Sequence, residues 1–399
     1  MRGVHLSPKP LLVRLGVAPA LVLLCLTFLV SARAEAAVDS YVDFDSHDAQ
    51  TQLAAGREDG VVFRNGSARL SPGRTRGTLT SKAYATATRF DTLVPSWNAS
   101  TPSGTWMQTD IRVRSGGRWT PWFNMGVWAK GTQAVKRHSV NGQGHGSWKV
   151  LTDTLQAEGP VFADAYRYRL TLSTKTQSVS PEVRAVYVTA SDSYRHGDFL
   201  GVSSSRRLLG KDLPVPQRSQ MIYPNGGEVW CSPTSLSMVM AYWSRKTGNR
   251  NLNQSVPRVA AGTYDFAYQG NGNWPFNTAY ASAIGLKASV NRFSSLEQVE
   301  RWISEGVPVI ATISWGSGQL DGAPIPASKG HLLVIRGFHS DGERIIVNDP
   351  AADGNSGVRR LYDRQQFADA WFRGSGGIAY LVYPKGWHIP DQTFSRGSW

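Results

Sequence analysis

Two cysteines occur in the chain, Cys25 and Cys231, and their settings differ. Cys25 lies inside an uncharged apolar run, Leu15 to Val30. Cys231 directly precedes Ser232-Pro233 and a stretch that places Leu236, Met240 and Trp243 on one helical face, with Val239 beside them. Serine as a cap and proline in the first turn predict a helix from Pro233 to about Thr247. Free backbone N–H groups and the positive end of the helix dipole meet at such a start, and both stabilise an anion. A cysteine there is expected to ionise below its ordinary range and to act as a thiolate nucleophile. The competing reading is a small buried apolar residue.

A thiolate nucleophile needs a group that takes the thiol proton and later protonates the leaving group, and histidine suits that task near neutral pH. Three histidines follow Cys231. His331 opens an apolar strand to Phe338 after a turn at Ser328-Lys329-Gly330, well placed to face a cleft. His339 in a Gly/Ser/Asp turn and His388 beyond the last strand read as surface residues. Asp349, in Asn348-Asp349-Pro350, ends the next strand and could orient the imidazole, while Asn348 would point to the opposite face. The same tripeptide also suits a plain turn. An oxyanion hole needs donors beside the nucleophile. The Cys231 N–H is one, and Gln220 or Gln217 could supply a side-chain amide.

The elements that must position these groups fall in the second half of the chain. Of the 399 residues, 41% are hydrophobic and 18% charged, which excludes a disordered chain and suggests two or three domains. Residues 1–36 read as a cleaved secretory signal: Arg2, Lys9 and Arg14, then the apolar run, then small-x-small sites at Ala32–Ala34 and Ala34–Ala36. The expected location is therefore secreted or extracellular, cell-wall association included, with no transmembrane anchor after cleavage. Residues 37–190 alternate apolar and polar residues between turn signals and predict a β-sandwich, jelly-roll-like. Residues 191–212 read as a linker. Residues 213–388 read as α+β, with further helices over 275–284 and 295–305, strands over 307–313, 331–338, 344–349 and 377–383, and a short helix from Asp363 to Trp371.

Export leaves Cys231 alone, which excludes an intrachain disulfide and a multi-cysteine zinc site. No cofactor or metal is expected. The formal charge is +14, and 1–36 hold only four of the 43 basic residues and one of the 29 acidic ones. The positive residues are scattered and no recognition motif accompanies them, so a nucleic-acid partner is not expected. Trp97, Trp106, Trp119, Trp122, Trp128 and Trp148 suit either a sandwich core or stacking on sugars. That region is read as a binding module for a cell-wall polymer.

Four ordered blocks carry a resemblance: Val215 to Gln220, Trp230 to Trp243, Gly330 to Gly337, and Val347 to Pro350. They resemble the secreted peptidase-like domains related to the double-glycine leader peptidases, within the papain-like cysteine peptidases of family 39. The resemblance spans about residues 213–385. It implies a papain-like α+β fold with Cys231 as nucleophile, His331 as general base and Asp349 as the orienting acid, and it places the oxyanion glutamine on Gln220. Two departures stand out: Ser232 replaces the usual glycine, and Met221 to Trp230 lengthens the gap after Gln220. The expected protein is a secreted hydrolase that cleaves peptide or amide bonds in a protein, peptide or peptidoglycan through an acyl-enzyme. The alternatives are a catalytically inactive cell-wall or polysaccharide binding protein and an acyl transferase that uses the same thiol.

Overall fold

The computed structural model describes Met1, Gly3 and residues 41–49, 53, 55–197 and 209–390. Apart from Met1 and Gly3, residues 1–36, expected to be a signal and including Cys25, lie outside the described residues, as do residues 198–208 of the expected linker.

Period-two alternation builds the N-terminal region. Strand Ala163–Thr174 buries Tyr166, Tyr168, Leu170 and Leu172 and turns Arg167 and Arg169 outward. Two antiparallel sheets result. Thr92–Ser100 and Glu182–Ser191 pair at the centre of one, and Thr105–Ser115 and Ala163–Thr174 at the centre of the other. A hairpin of Trp148–Leu151 and Thr154–Ala157 extends the first sheet through a Leu155–Leu93 pairing. Trp97, Trp128 and Trp148 are buried in the core. Trp119 and Trp122 are half-buried, with the Arg112 guanidinium 5.1 and 4.6 Å from their ring centres.

The C-terminal region runs α1 (Cys231–Thr247), α2 (Val256–Thr263), α3 (Trp274–Ala283), β1 (Leu286–Arg292), α4 (Leu296–Ser304), β2 (Val309–Trp315), β3 (Ser328–Phe338), β4 (Arg344–Asn348), β5 (Arg359–Asp363), α5 (Arg364–Ala368) and β6 (Ile378–Pro384). The six strands form one antiparallel sheet in the order β1-β6-β2-β3-β4-β5. Ser295 caps α4 in a capping box with Gln298.

Three expectations need correction. Ser232 does not cap α1: Trp230 holds the cap position, Cys231 is the first helical residue, and the Ser232 hydroxyl turns inward to Tyr380 Oη at 3.0 Å. A buried hydroxyl requires such a partner. β3 begins at Ser328, so His331 lies within the strand instead of opening it. The last helix stops at Ala368 and passes into a π-helical turn, Asp369–Arg373.

Both regions belong to one compact unit. Phe276 of α3 packs against Trp97 and Trp128, with ring centres 6.3 and 5.4 Å away. The Thr189 hydroxyl donates to the Val290 carbonyl at 2.8 Å, and the Ser96 hydroxyl accepts from the Val290 N–H at 3.0 Å. β1 therefore lies against the N-terminal sheet as well as in its own.

Candidate active site

α1 is buried from Ser232 to Trp243, because the C-terminal sheet and the neighbouring helices enclose it. The Trp243 indole N–H donates to the Val382 carbonyl of β6 at 2.7 Å. One turn into the helix, the Ser235 hydroxyl donates to the Leu332 carbonyl of β3 at 3.0 Å. That bond seats the first turn of α1 beside His331. Cys231 is half-buried there. Its sulfur faces the His331 side chain and the backbone of Ser232 and Leu332. Burial alone would push the thiol up, but the facing His331 ring and its charge, together with the backbone at Leu332 and Ser232, outweigh it and hold the thiol below its ordinary value.

β3 and β4 set the next contact. Val334 pairs with Asn348, so alternation puts Asp349 on the face shared by Leu333 and His331. The His331 Nε2–H donates to Asp349 Oδ1 at 2.8 Å, which leaves Nδ1 for the thiol. Burial favours a neutral ring. The Asp349 charge and hydrogen bond, followed by the Cys231 interaction, override it and raise His331 to about 10. Asp349 is fully buried and also accepts from the Tyr362 hydroxyl at 2.7 Å and the Ala351 N–H at 2.9 Å. Burial would raise this carboxyl, yet His331, Tyr362 and Ala351 keep it below its ordinary range. The Trp315 ring meets the imidazole edge-on, with centres 5.7 Å apart, and covers the His331 side.

Asn348 faces the other way. Its Oδ1 accepts from Arg336 Nη1 at 2.9 Å, and its Nδ2 donates to the Val215 and Pro216 carbonyls at 3.2 and 3.1 Å, fastening the segment that leads to Gln220. Gln220 is buried and lines the same cleft as Cys231 and His331. Its backbone N–H donates to the Pro350 carbonyl at 2.8 Å. Its side-chain Nε2 donates to the Glu228 carbonyl at 2.9 Å, and one N–H of that amide remains for another acceptor. The 221–230 insertion thus folds back over Gln220 and leaves it at the cleft. Gly227 makes this approach feasible, since a Cβ there would stand 2.2 Å from the Gln220 carbonyl oxygen.

Gln217 is directed elsewhere, its Oε1 accepting from the Arg359 N–H at 3.2 Å. His339 pairs with Asp341 at 2.9 Å in its turn, and His388 pairs with Glu305 at 2.8 Å on the surface. His331 is hydrogen-bonded to Asp349 and faces Cys231, and Cys231, His331 and Gln220 line the same cleft of about 1060 Å³. Sequence reasoning missed Tyr362 and Trp315. Both sit in strands beside the site, and nothing but their aromatic type in a period-two run marks them.

Residues 35–191 match the family model for the peptidase C39 N-terminal domain, and residues 212–377 match that of the peptidase C39-like family. Among solved structures, a C39-like peptidase from Bacillus anthracis is 18% identical, covering 45% of this chain and 99% of its own, at a TM-score of 0.28. The C-terminal CBM6 of LamC, a marine laminarinase from Zobellia galactanivorans, is 11% identical, covering 37% and 99%, at a TM-score of 0.22. Neither likeness is close enough to carry an argument. No curated protein matches the chain. In the C39-like region the thiol, the imidazole and the carboxylate come from α1, β3 and the end of β4, three elements locked together by buried hydrogen bonds. That arrangement can generate a nucleophile, move one proton and hold a cationic ring.

Proposed function

We propose that the chain is an exported cysteine peptidase of papain-like architecture that cleaves peptide or amide bonds through an acyl-enzyme. The observation that carries this reading is the line Cys231–His331–Asp349, in which the thiol is held low and the imidazole high. A helix-start nucleophile packed on an antiparallel sheet that carries the histidine and the aspartate supports the papain-like description. The basic, apolar and small-residue order of 1–36 supports export.

The thiolate of Cys231 attacks the carbonyl carbon, and the C=O π pair moves onto oxygen. The oxyanion accepts from the Cys231 backbone N–H, which has no acceptor within its helix, and from the second N–H of the Gln220 amide. Collapse breaks the C–N bond while the His331 imidazolium gives its proton to the departing amine. The thioester then meets water. His331 takes a proton from that water, the new hydroxyl attacks the acyl carbon, and the thiolate leaves. Asp349 orients the ring and stabilises its charged form. Tyr362 and Trp315 act on Asp349 and His331 as positioning residues.

Rapid quenching with an activated peptide ester tests this reading. A first-turnover burst and an acyl adduct on Cys231 are expected, both absent in Cys231→Ala. Hydrolysis that persists in that variant would overturn the proposal. An adduct released only by an added amine would identify a transferase.

A further inference from the structure

The cleft has a second wall, and it comes from the N-terminal region. Leu151, Thr152 and Asp153, at the tip of the Trp148–Ala157 hairpin, line the same cavity as Cys231 and His331. Tyr268 and Gln269, in the loop before α3, also line it. Seven large apolar side chains stand exposed among the described residues, and four of them, Leu151, Met221, Val229 and Tyr268, border this one cleft. Their exposure runs from 41% for Met221 to 64% for Val229, and Ile222 adds to the patch beside Met221. Isolated exposed apolar residues need no explanation, but their concentration around one concave site marks a binding surface.

The backbone points the same way. Only three non-glycine residues among those described have positive φ, and two of them, Thr152 at 57° and Gln269 at 58°, lie on this cleft. A β-branched residue in that conformation is strained, and such strain persists only where surrounding structure enforces it. Reciprocal clamps between the two regions do so. The Asp153 carboxylate is buried and accepts from the Trp274 N–H at the start of α3, at 2.7 Å. In return, Asp265 accepts from the Ser139 N–H of the N-terminal region at 3.0 Å. Asp265 also accepts from the Tyr268 N–H on a side-chain oxygen at 3.1 Å and from the Gln269 N–H on its carbonyl at 2.8 Å. Each region therefore fixes the other's strained loop.

We infer that this cleft recognises a polypeptide through a bulky apolar side chain near the scissile bond, and that the Trp148–Ala157 hairpin supplies one wall of that subsite. The inference rests on the reading of Cys231 as the nucleophile, which fixes where the scissile bond lies. A peptidoglycan stem, with small and charged side chains, would leave the apolar rim in water. A polypeptide carrying Leu or Phe would cover it. The N-terminal region is then a specificity element of the enzyme itself.

Binding to the full chain carrying Cys231→Ala tests this without turnover. Two fluorescent peptides of equal length and charge serve as probes, one with Leu and Phe at the centre and one with Ala and Ser there, together with a soluble muropeptide. The apolar peptide should bind about tenfold tighter than either of the others. Leu151→Ser, Tyr268→Ser and Val229→Ser should each weaken it about three- to tenfold, with thermal melting confirming the fold. Equal affinity for the two peptides, tighter binding of the muropeptide, or affinity unmoved by all three substitutions would overturn the inference. Acyl-adduct formation in the wild type reads the catalytic proposal separately. An adduct without apolar preference sinks only the subsite, and apolar preference without an adduct sinks only the chemistry.

Discussion

On the floor of the cleft, Cys231 begins a helix, His331 lies within a strand and Asp349 follows directly on another; a hydrogen bond joins His331 to Asp349, and the His331 ring faces the thiol. At its rim, Leu151, Tyr268, Met221 and Val229 stand exposed at a hairpin edge and on loops and turns, two of which include strained residues. The floor is built by one region and the rim by two. Chemistry demands reacting atoms held within fractions of an ångström, so it sits where buried bonds over-determine each side chain. Selection among substrates demands apolar area and shape, which loops supply at low cost to the scaffold. The clamps at Asp153 and Asp265 show how such loops are kept from drifting.

Substitutions on the floor should have the largest effects. Cys231→Ala and His331→Ala are each expected to lower kcat/KM by about 10⁴-fold or more, and the double variant should be no worse than either single one, because the pair acts as a unit. Asp349→Asn keeps the shape but removes the charge that holds His331 protonated, and a loss of about 10²–10⁴-fold in kcat is expected. Tyr362→Phe deletes one of the three bonds to Asp349, about 1 kcal/mol, so a loss of about fivefold in kcat is expected. Steady-state kinetics on one peptide separates these from the rim variants, whose losses should fall on KM. A floor variant that changed only KM would break the contrast.

The smallest effect concerns the clamp. Burial raises the Asp153 carboxyl from 3.8 to about 7 despite its bonds to Trp274 and Thr154. A carboxyl raised in this way contributes stability that is full below about pH 4 and is lost as pH rises through about 7. Denaturant midpoints of the wild type should carry that decline, and those of Asp153→Asn should lack it. Identical pH profiles for the two would contradict the buried, proton-sensitive clamp.

The sequence made much of the floor legible. A cysteine before Ser-Pro, a histidine leading into apolar residues and an Asn-Asp-Pro turn are local signals, and period two placed Asp349 and Asn348 on opposite faces. Helices α3 and α4 were legible as the segments 275–284 and 295–305. β1 was not, because Lys287, Ser289, Asn291 and Arg292 break its apolar run. Those residues are tolerated in a strand packed against α3 and the N-terminal sheet, where Ser96 and Thr189 bond its backbone. α2 is a short helix with Pro257 and Gly262 inside it, which hides its pattern. The rim was the least legible of all. Asp153 and Trp274 lie 121 residues apart, and no local feature of either announces the bond between them. The other contacts between 37–190 and the C39-like region were hidden for the same reason: they are tertiary.

The central claim is that His331 and Asp349 turn Cys231 into a thiolate at ordinary pH, and ultraviolet titration of the Cys231 thiolate tests it most directly. The account predicts that thiolate absorbance appears below the ordinary cysteine range, with imidazolium beside it until His331 loses its proton near about pH 10. His331→Ala should move the thiol back up, since burial then acts unopposed by the ring. A thiol that titrates in the ordinary range, unmoved by His331→Ala, would contradict the account.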